Sequence, residues 1–151
     1  MIRKFQPNDI DQVIDIWLES SIKAHGFISR DFWNSKVNDM REIYIPSGET
    51  YVYEKEGRIT GFASLYNNTL AAIFVLVDFQ GTGIGRRLMK KAKDVRDHLN
   101  LTVYKANSKS IEFYKKCGFK IEKEQIDEHT GHPELVMTFS RSQNTDAIRS
   151  R

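Results

Sequence analysis

The segment Ala71-Ala72-Ile73-Phe74-Val75-Leu76-Val77 is apolar enough to be a buried strand. It runs through Asp78-Phe79-Gln80 into Gly81-Thr82-Gly83-Ile84-Gly85 and then into Arg86-Arg87. A strand that ends in a glycine-rich turn and restarts as a basic helix has few uses. Glycine lets the backbone come close to a ligand, and the first-turn N–H groups of a helix, at the positive end of its dipole, hold an anion. Arg86 and Arg87 strengthen this reading, because cations at a helix N-terminus are locally unfavourable unless something negative offsets them. The turn therefore reads as a cradle for a phosphate-bearing ligand.

The rest of the chain bounds the context. Its 151 residues suit one domain with a core of its own. With 40% hydrophobic and 28% charged residues, the composition is that of a globular protein. No apolar run approaches the roughly 20 residues needed to span a bilayer, and Met1-Ile2-Arg3-Lys4 leads into no signal-like segment, so no membrane partner and a cytoplasmic location are expected. A net charge of +3, with acidic residues scattered among the basic ones, gives no nucleic-acid signature. The single cysteine, Cys117, excludes an intrachain disulfide framework and a zinc ribbon and agrees with a reducing compartment.

Hydrophobic periodicity orders the elements. Met1 to Phe5 reads as a short strand, and Asn8 is a candidate N-cap for a helix whose apolar face is Ile10, Val13, Ile14, Trp17 and Leu18. Gly26 should end this helix near His25. A second helix is expected from Ser29, with Trp33, Val37, Met40 and Tyr44 as its stripe, closing before Pro46. Tyr51–Glu54 and Ile59–Tyr66 form a hairpin around Glu56-Gly57, and the opening strand follows the polar break Asn67-Asn68-Thr69. Then come a helix from about Gly83 to His98, a strand Leu101–Tyr104, a helix Ser108–Lys116, and strands around Phe119–Ile126 and Leu135–Phe139. The order is βααβββαβαββ, an α/β (α+β) fold with a mixed, mostly antiparallel sheet flanked by helices. The helix between the strands at Ala71 and Leu101 makes that pair parallel, with the right-handed crossover such units take. The domain spans 1–140, and the polar tail 141–151 has no apolar pattern.

Glycine spacing discriminates among owners of such turns. A dinucleotide-binding fingerprint needs glycine where Arg86 stands and an acidic residue about 20 positions on, and Leu101 to Lys105 holds no carboxylate. A P-loop needs Gly-Lys-Ser/Thr, whereas Gly81 leads to Arg86-Arg87. Gln80-Gly81-Thr82-Gly83-Ile84-Gly85, by contrast, resembles the Gln/Arg-x-x-Gly-x-Gly/Ala motif of the GCN5-related N-acetyltransferase (GNAT) superfamily. Asn107-Ser108-Lys109-Ser110-Ile111-Glu112-Phe113-Tyr114-Lys115-Lys116-Cys117-Gly118-Phe119 is similar to that superfamily's second signature.

The resemblance implies acetyl-CoA as donor cosubstrate, with its pantetheine arm beside the strand ending at Val75 to Val77 and its pyrophosphate on Gln80, Gly81, Thr82, Gly83, Ile84, Gly85, Arg86 and Arg87. It also implies that Asn107 contacts the cofactor arm, that Tyr114 stands near the sulfur, and that an N–H of Phe74 or Val75 polarises the thioester carbonyl. Asn107 and Tyr114 lie about two helical turns apart, roughly 10 Å along one face. The implied activity is direct transfer of acetyl to a primary amine of a protein or small molecule, with Tyr114 protonating the leaving sulfur. A non-catalytic acetyl-CoA sensor is the alternative.

The acceptor side is less defined. A lysine-type amine, with a pKa of about 10.4, must lose a proton before attack. Some relatives carry a glutamate where Thr102 stands, and Thr102 cannot serve as that base. Glu19 and His25 are the candidates, and His25, Phe27, Trp33 and Tyr66 are candidate walls. Val77 replaces a proline common in the family. His129 and His132 lack a third ligand, so no metal is expected, and the loop Asp127–Pro133 is expected to border the acceptor cleft. Cys117, at a helix end, reads as a small buried hydrophobe. A homodimer is compatible with the sequence, which carries no signature that fixes the oligomeric state.

Overall fold

The computed structural model describes residues 1–141. It contains β1 (Ile2–Lys4), α1 (Ile10–Ala24), α2 (Arg30–Ser35), α3 (Val37–Asp39), α4 (Ile45–Ser47), β2 (Glu49–Lys55), β3 (Arg58–Tyr66), β4 (Thr69–Val75), α5 (Ile84–Val95), β5 (His98–Tyr104), α6 (Ser108–Lys116), β6 (Lys120–Ile126) and β7 (Pro133–Ser140). One seven-stranded sheet takes the order β1-β2-β3-β4-β5-β7-β6. Every pairing is antiparallel except β4 with β5. The mixed sheet expected from the sequence is thus present, with β7 inserted between β5 and β6. The tail expected over 141–151 lies outside the described residues beyond Arg141, whose N–H donates to the Asp97 carbonyl at 2.7 Å.

Each sheet face carries its own core. Leu88, Met89 and Ala92 of α5 and Ile111 of α6 bury against Tyr51, Ala63, Leu65, Leu101 and Met137. Val13, Ile16 and Trp17 of α1 and Trp33 of α2 bury against Val52, Ile59 and Phe62 on the other face. Strict alternation would put Ile59 and Phe62 on opposite faces. A bulge reconciles them: Glu54 pairs with Ile59 and Tyr53 with Gly61, which leaves Thr60 as an extra residue in β3. Gly61 is needed where α5 crosses, since a Cβ there would meet Ile84 Cγ2, Leu88 Cδ1 and the Phe74 carbonyl, each at 3.1 Å.

Several boundaries differ from the sequence expectation, each for a visible reason. Asn8 does not cap α1. Pro7–Asp9 is a 3-10 turn, and Asp9 Oδ2 accepts the Gln6 N–H at 2.7 Å. The single helix expected after Ser29 starts as foreseen, with Ser29 Oγ accepting the Phe32 N–H at 3.3 Å. It then breaks at Lys36, widens into a π-helical turn over Met40–Tyr44 and continues through Pro46. Proline is tolerated because it falls in the first turn of α4, where no N–H is required. The wide turn also rotates the stripe by one residue, so Tyr44 is 59% exposed and Ile45, at 2%, fills the core.

The helix expected to reach His98 stops at Val95. Arg96 turns extended there, its guanidinium donating to Glu49 Oε1 at 3.1 Å and to the Asn67 carbonyl at 2.8 Å, and His98 opens β5 instead. β4 ends at Val75 rather than Val77, and Val77–Phe79 forms a 3-10 turn.

Arg3 fastens β1 to the start of α1. Its Nη1 and Nη2 donate to Asp9 at 2.8 and 3.0 Å, and its Nε donates to Glu54 at 2.6 Å. The guanidinium holds the buried Asp9 carboxyl below the usual carboxylate range, against the cost of burial. An unfolded aspartate protonates near pH 3.8, so this stabilisation is present above that pH and is lost as the pH falls through the lower folded value. Asp9→Asn is expected to cost about 2 kcal/mol at neutral pH, with the penalty shrinking in acid, as read from urea unfolding across the pH range.

Candidate active site

The site grows from a defect in strand pairing. β5 is paired along its whole length with β7, yet it meets β4 only at Thr69 and Asn100. Beyond that point the parallel strands part. β4 also carries a bulge: Leu65 pairs with Leu70 and Ser64 with Ala72, so Ala71 has no partner. The Leu76 N–H donates to the Thr60 carbonyl at 2.8 Å, which fixes the alternation after the bulge. Backbone groups of Ala72 and Phe74 face β3, and those of Ile73 and Val75 face the gap. Of the two amides expected to serve a carbonyl, Phe74 N–H is therefore committed to the sheet and Val75 N–H faces the opening. The Val75 carbonyl points the same way and accepts from Gln80 Nε2 at 3.1 Å and Ser20 Oγ at 3.4 Å. Gln80 thus shapes the turn by holding the strand end.

The glycine turn adjoins this strand end. Thr82 Oγ1 donates to the Phe79 carbonyl at 2.5 Å. Gly81 has φ +80° and Gly83 +91°, and nothing lies within 4 Å of a Cβ built on either. Both conformations favour glycine, and both residues look onto open space. Gly85 matters for packing instead, because its Cβ would stand 3.4 Å from Phe113 Cζ and 3.9 Å from Val75 Cγ2. Its smallness lets α5 approach α6 and β4. The first intrahelical bond of α5 is Arg87 N–H to the Gly83 carbonyl at 3.1 Å, so the amides of Ile84, Gly85 and Arg86 precede it. The two arginines part company. Arg87 turns to β2, its Nη1 donating to the Tyr53 hydroxyl at 2.6 Å and its guanidinium over that ring. Arg86 is exposed and close enough to Cys117 to act on its thiol. Val77, in the 3-10 turn, is not part of the strand edge.

Asn107 caps α6, its Oδ1 accepting the Ser110 N–H at 3.3 Å, and its Nδ2 faces His25 Nε2 at 3.4 Å. His25 closes α1 and is 7% exposed. Its Nδ1 lies 3.0 Å from the Ser21 carbonyl, which can only accept, so Nδ1 carries the hydrogen and Nε2 the lone pair. Burial holds the imidazole below its ordinary pKa despite the opposing pull of that carbonyl. Trp33 stacks on the ring at 5.1 Å, while Phe27 and Tyr104 meet it edge-on at 5.8 and 5.2 Å.

Tyr114 lies on α6 between Phe113 and Phe119, with ring separations of 5.6 and 5.9 Å. It packs on the same face of the sheet as Val75. Burial, aided by the neighbouring Cys117, pushes its phenol pKa up, and its hydroxyl has no hydrogen-bond partner among the described residues.

The remaining candidates separate. His25, Phe27 and Trp33 gather, but exposed Tyr66 sits at the far end of β3, opposite Thr69. It is roughly 20 Å along the strand from Val75. Glu19 is exposed on α1, and Thr102 is exposed in β5. The loop after β6 does close on the aromatic cluster: His132 lies 5.1 Å from the Phe27 ring, and Asp127 Oδ2 accepts the Tyr104 hydroxyl at 2.5 Å. Burial acts to raise the Asp127 pKa, yet the Tyr104 hydroxyl, the His129 N–H and the Thr130 hydroxyl together carry it below the usual range. Cys117 is half-buried, which raises its thiol pKa against Lys93 and Arg86. Ser20 and Tyr104 join these contacts without any one-dimensional signal, since each meets its partner only after folding, whereas Asp127 lies in the loop that the sequence expected at the acceptor cleft.

Comparison with known proteins agrees with this geometry. The family model for the acetyltransferase (GNAT) domain matches residues 46–121. The peptidyl-lysine N-acetyltransferase YiaC of Escherichia coli strain K12 is 32% identical over 140 residues, covering 92% of this chain and 96% of that protein. The peptidyl-lysine N-acetyltransferase YjaB of the same organism is 27% identical, covering 87% and 90%. The solution structure of apo YjaB superposes with a TM-score of 0.81, at 25% identity over 92% of this chain and 96% of that one. The PaiA N-acetyltransferase of Thermoplasma acidophilum in complex with coenzyme A shares the fold, with a TM-score of 0.77 and 19% identity over 93% and 98%. With the family model over half of the chain and a relative 32% identical along nearly all of it, the chain belongs to the GNAT acetyltransferase family.

Proposed function

We propose that the protein acetylates lysine ε-amines of proteins in the cytoplasm, with acetyl-CoA as donor and Val75, the glycine turn, Asn107 and Tyr114 as the donor half of its site. One observation carries the reading: the unpaired edge of β4 at Val75 meets both a turn of open, positive-φ glycines and the helix bearing Tyr114. The acceptor class is supported by YiaC and YjaB, both named as peptidyl-lysine N-acetyltransferases and both aligned along most of their length.

The residues present fit such a donor. A long arm of amide groups suits a strand edge with alternating N–H and C=O, and a pyrophosphate suits first-turn amides beside Gly81 and Gly83, where a side chain would intrude. Acetyl-CoA supplies an activated carbonyl and a thiolate leaving group. The chain's own residues do the rest. Val75 N–H is a donor available to polarise a carbonyl. Tyr114, its pKa raised by burial, stays protonated across the physiological range and can give its proton to a leaving sulfur.

Acceptor class is checked by incubation with acetyl-CoA and four amines: a lysine peptide, an N-terminal peptide without lysine, a polyamine and a small primary amine. The lysine peptide is expected to give the highest kcat/KM, with mass spectrometry locating the acetyl on Nζ. Preference for another amine would overturn the acceptor assignment, and thiol release with none of them would favour an acetyl-CoA sensor. Tyr114→Phe is expected to lower kcat about a hundredfold while the KM for acetyl-CoA stays near the parent value. Unchanged kcat across the pH range would remove Tyr114 from the chemistry.

A further inference from the structure

The contact between His25 and Asn107 joins residues 82 positions apart, the end of α1 and the start of α6. A carboxamide has one end that donates and one that accepts, and flipping it exchanges them. Here Oδ1 accepts the Ser110 N–H while Nδ2 faces the His25 lone pair. Only one of the two flip states satisfies both partners. That lone pair exists at Nε2 because the Ser21 carbonyl holds the ring hydrogen on Nδ1.

We infer that His25 is a positioning residue: as a neutral acceptor it fixes the Asn107 carboxamide in the orientation that binds the donor arm, and its protonation releases that orientation. The inference rests on the proposed placement of acetyl-CoA beside Asn107.

The chemistry gives the sign. Protonated imidazole carries hydrogens on both nitrogens, so Nε2 would confront the Asn107 NH2 with a second donor. Burial disfavours this charged form, and the effect therefore appears as the pH falls below the ordinary histidine value of 6.5. The groups around the ring are accounted for. Trp33 and Phe27 do not titrate; Tyr104 is kept protonated by burial and by its bond to Asp127. Asp127 is engaged by Tyr104, Thr130 and the His129 N–H. His132 is the second titratable ring of the cluster, reaching it through Phe27 and Tyr104.

The test is calorimetric binding of coenzyme A from neutral to mildly acidic pH, by the parent protein and by His25→Phe, His25→Gln, His132→Gln and Asn107→Ala. His25→Phe keeps a ring but loses the acceptor, and is expected to weaken binding about two- to tenfold, the worth of one hydrogen bond, and to abolish the acid-side loss. The steady-state counterpart is a raised KM for acetyl-CoA with kcat nearly unchanged. His25→Gln, which retains an accepting oxygen and does not titrate, is expected to restore affinity and give a flat profile, and His132→Gln to keep the parent profile. In the parent protein the Asn107 side-chain amide resonance should move with the titration of the His25 ring, a readout that needs no variant to fold. Normal coenzyme A binding with an Asn107 amide indifferent to His25 would overturn the inference and leave the proposed function standing. Failure of the parent protein to bind coenzyme A would overturn both.

Discussion

The parting of β4 from β5 is the constraint on which the rest of the structure depends. A sheet interior normally commits every backbone N–H and C=O to a neighbour, and exposing them inside a domain is costly unless a ligand or side chain takes them up. Here the cost is limited to a few residues. β5 gives its pairing to β7, the Val75 carbonyl is satisfied by Gln80 and Ser20, and the bulge at Ala71 turns the Val75 amide outward. Without the bulge, alternation would turn the backbone groups of Phe74, not Val75, into the gap. A one-residue irregularity therefore selects which amide faces the gap.

What was legible in the sequence follows from how local the cause was. The glycine turn could be read because positive φ at Gly81 and Gly83 is a single-residue property, and α6 because Ser108–Lys116 carries its helical pattern locally, whereas the capping role of Asn107 emerged only in the fold. The order of elements could likewise be read from periodicity. The bulge at Ala71 could not, since an apolar stretch looks the same with or without an extra residue. The π-helical turn escaped for a similar reason: it shifts the stripe from Tyr44 to Ile45, both apolar, and only burial tells them apart. The place of β7 between β5 and β6 is a matter of long-range pairing.

The acceptor side was the less legible half because its chemistry is assembled rather than written. His25 reads in isolation as a candidate base at the end of a helix. In the fold its Nδ1 is tied to Ser21, its lone pair meets Asn107, and its faces are covered by Trp33, Phe27 and Tyr104. A base must meet its substrate with a free lone pair, whereas a ring held at both nitrogens is better suited to fixing its neighbour. Glu19 has the opposite character, exposed on the surface of α1.

These environments also divide the site electrostatically. Burial keeps Tyr114 and Tyr104 protonated and His25 neutral, while the cations stand at the rim: Arg86 beside the turn, and Lys93 with its ammonium on the Cys117 carbonyl. The turn thus combines an exposed arginine with first-turn backbone amides, an arrangement that suits an anion, while the rings of Tyr114, Tyr104 and His25 carry no charge and Asp127 beside Tyr104 stays ionised. For the proposed amine acceptor, apolar surroundings favour the reactive, uncharged form, because a desolvated ammonium is driven toward it. In the proposed reaction Thr102, exposed in β5, supplies no base, so the ammonium proton passes to solvent or to another group of the acceptor side.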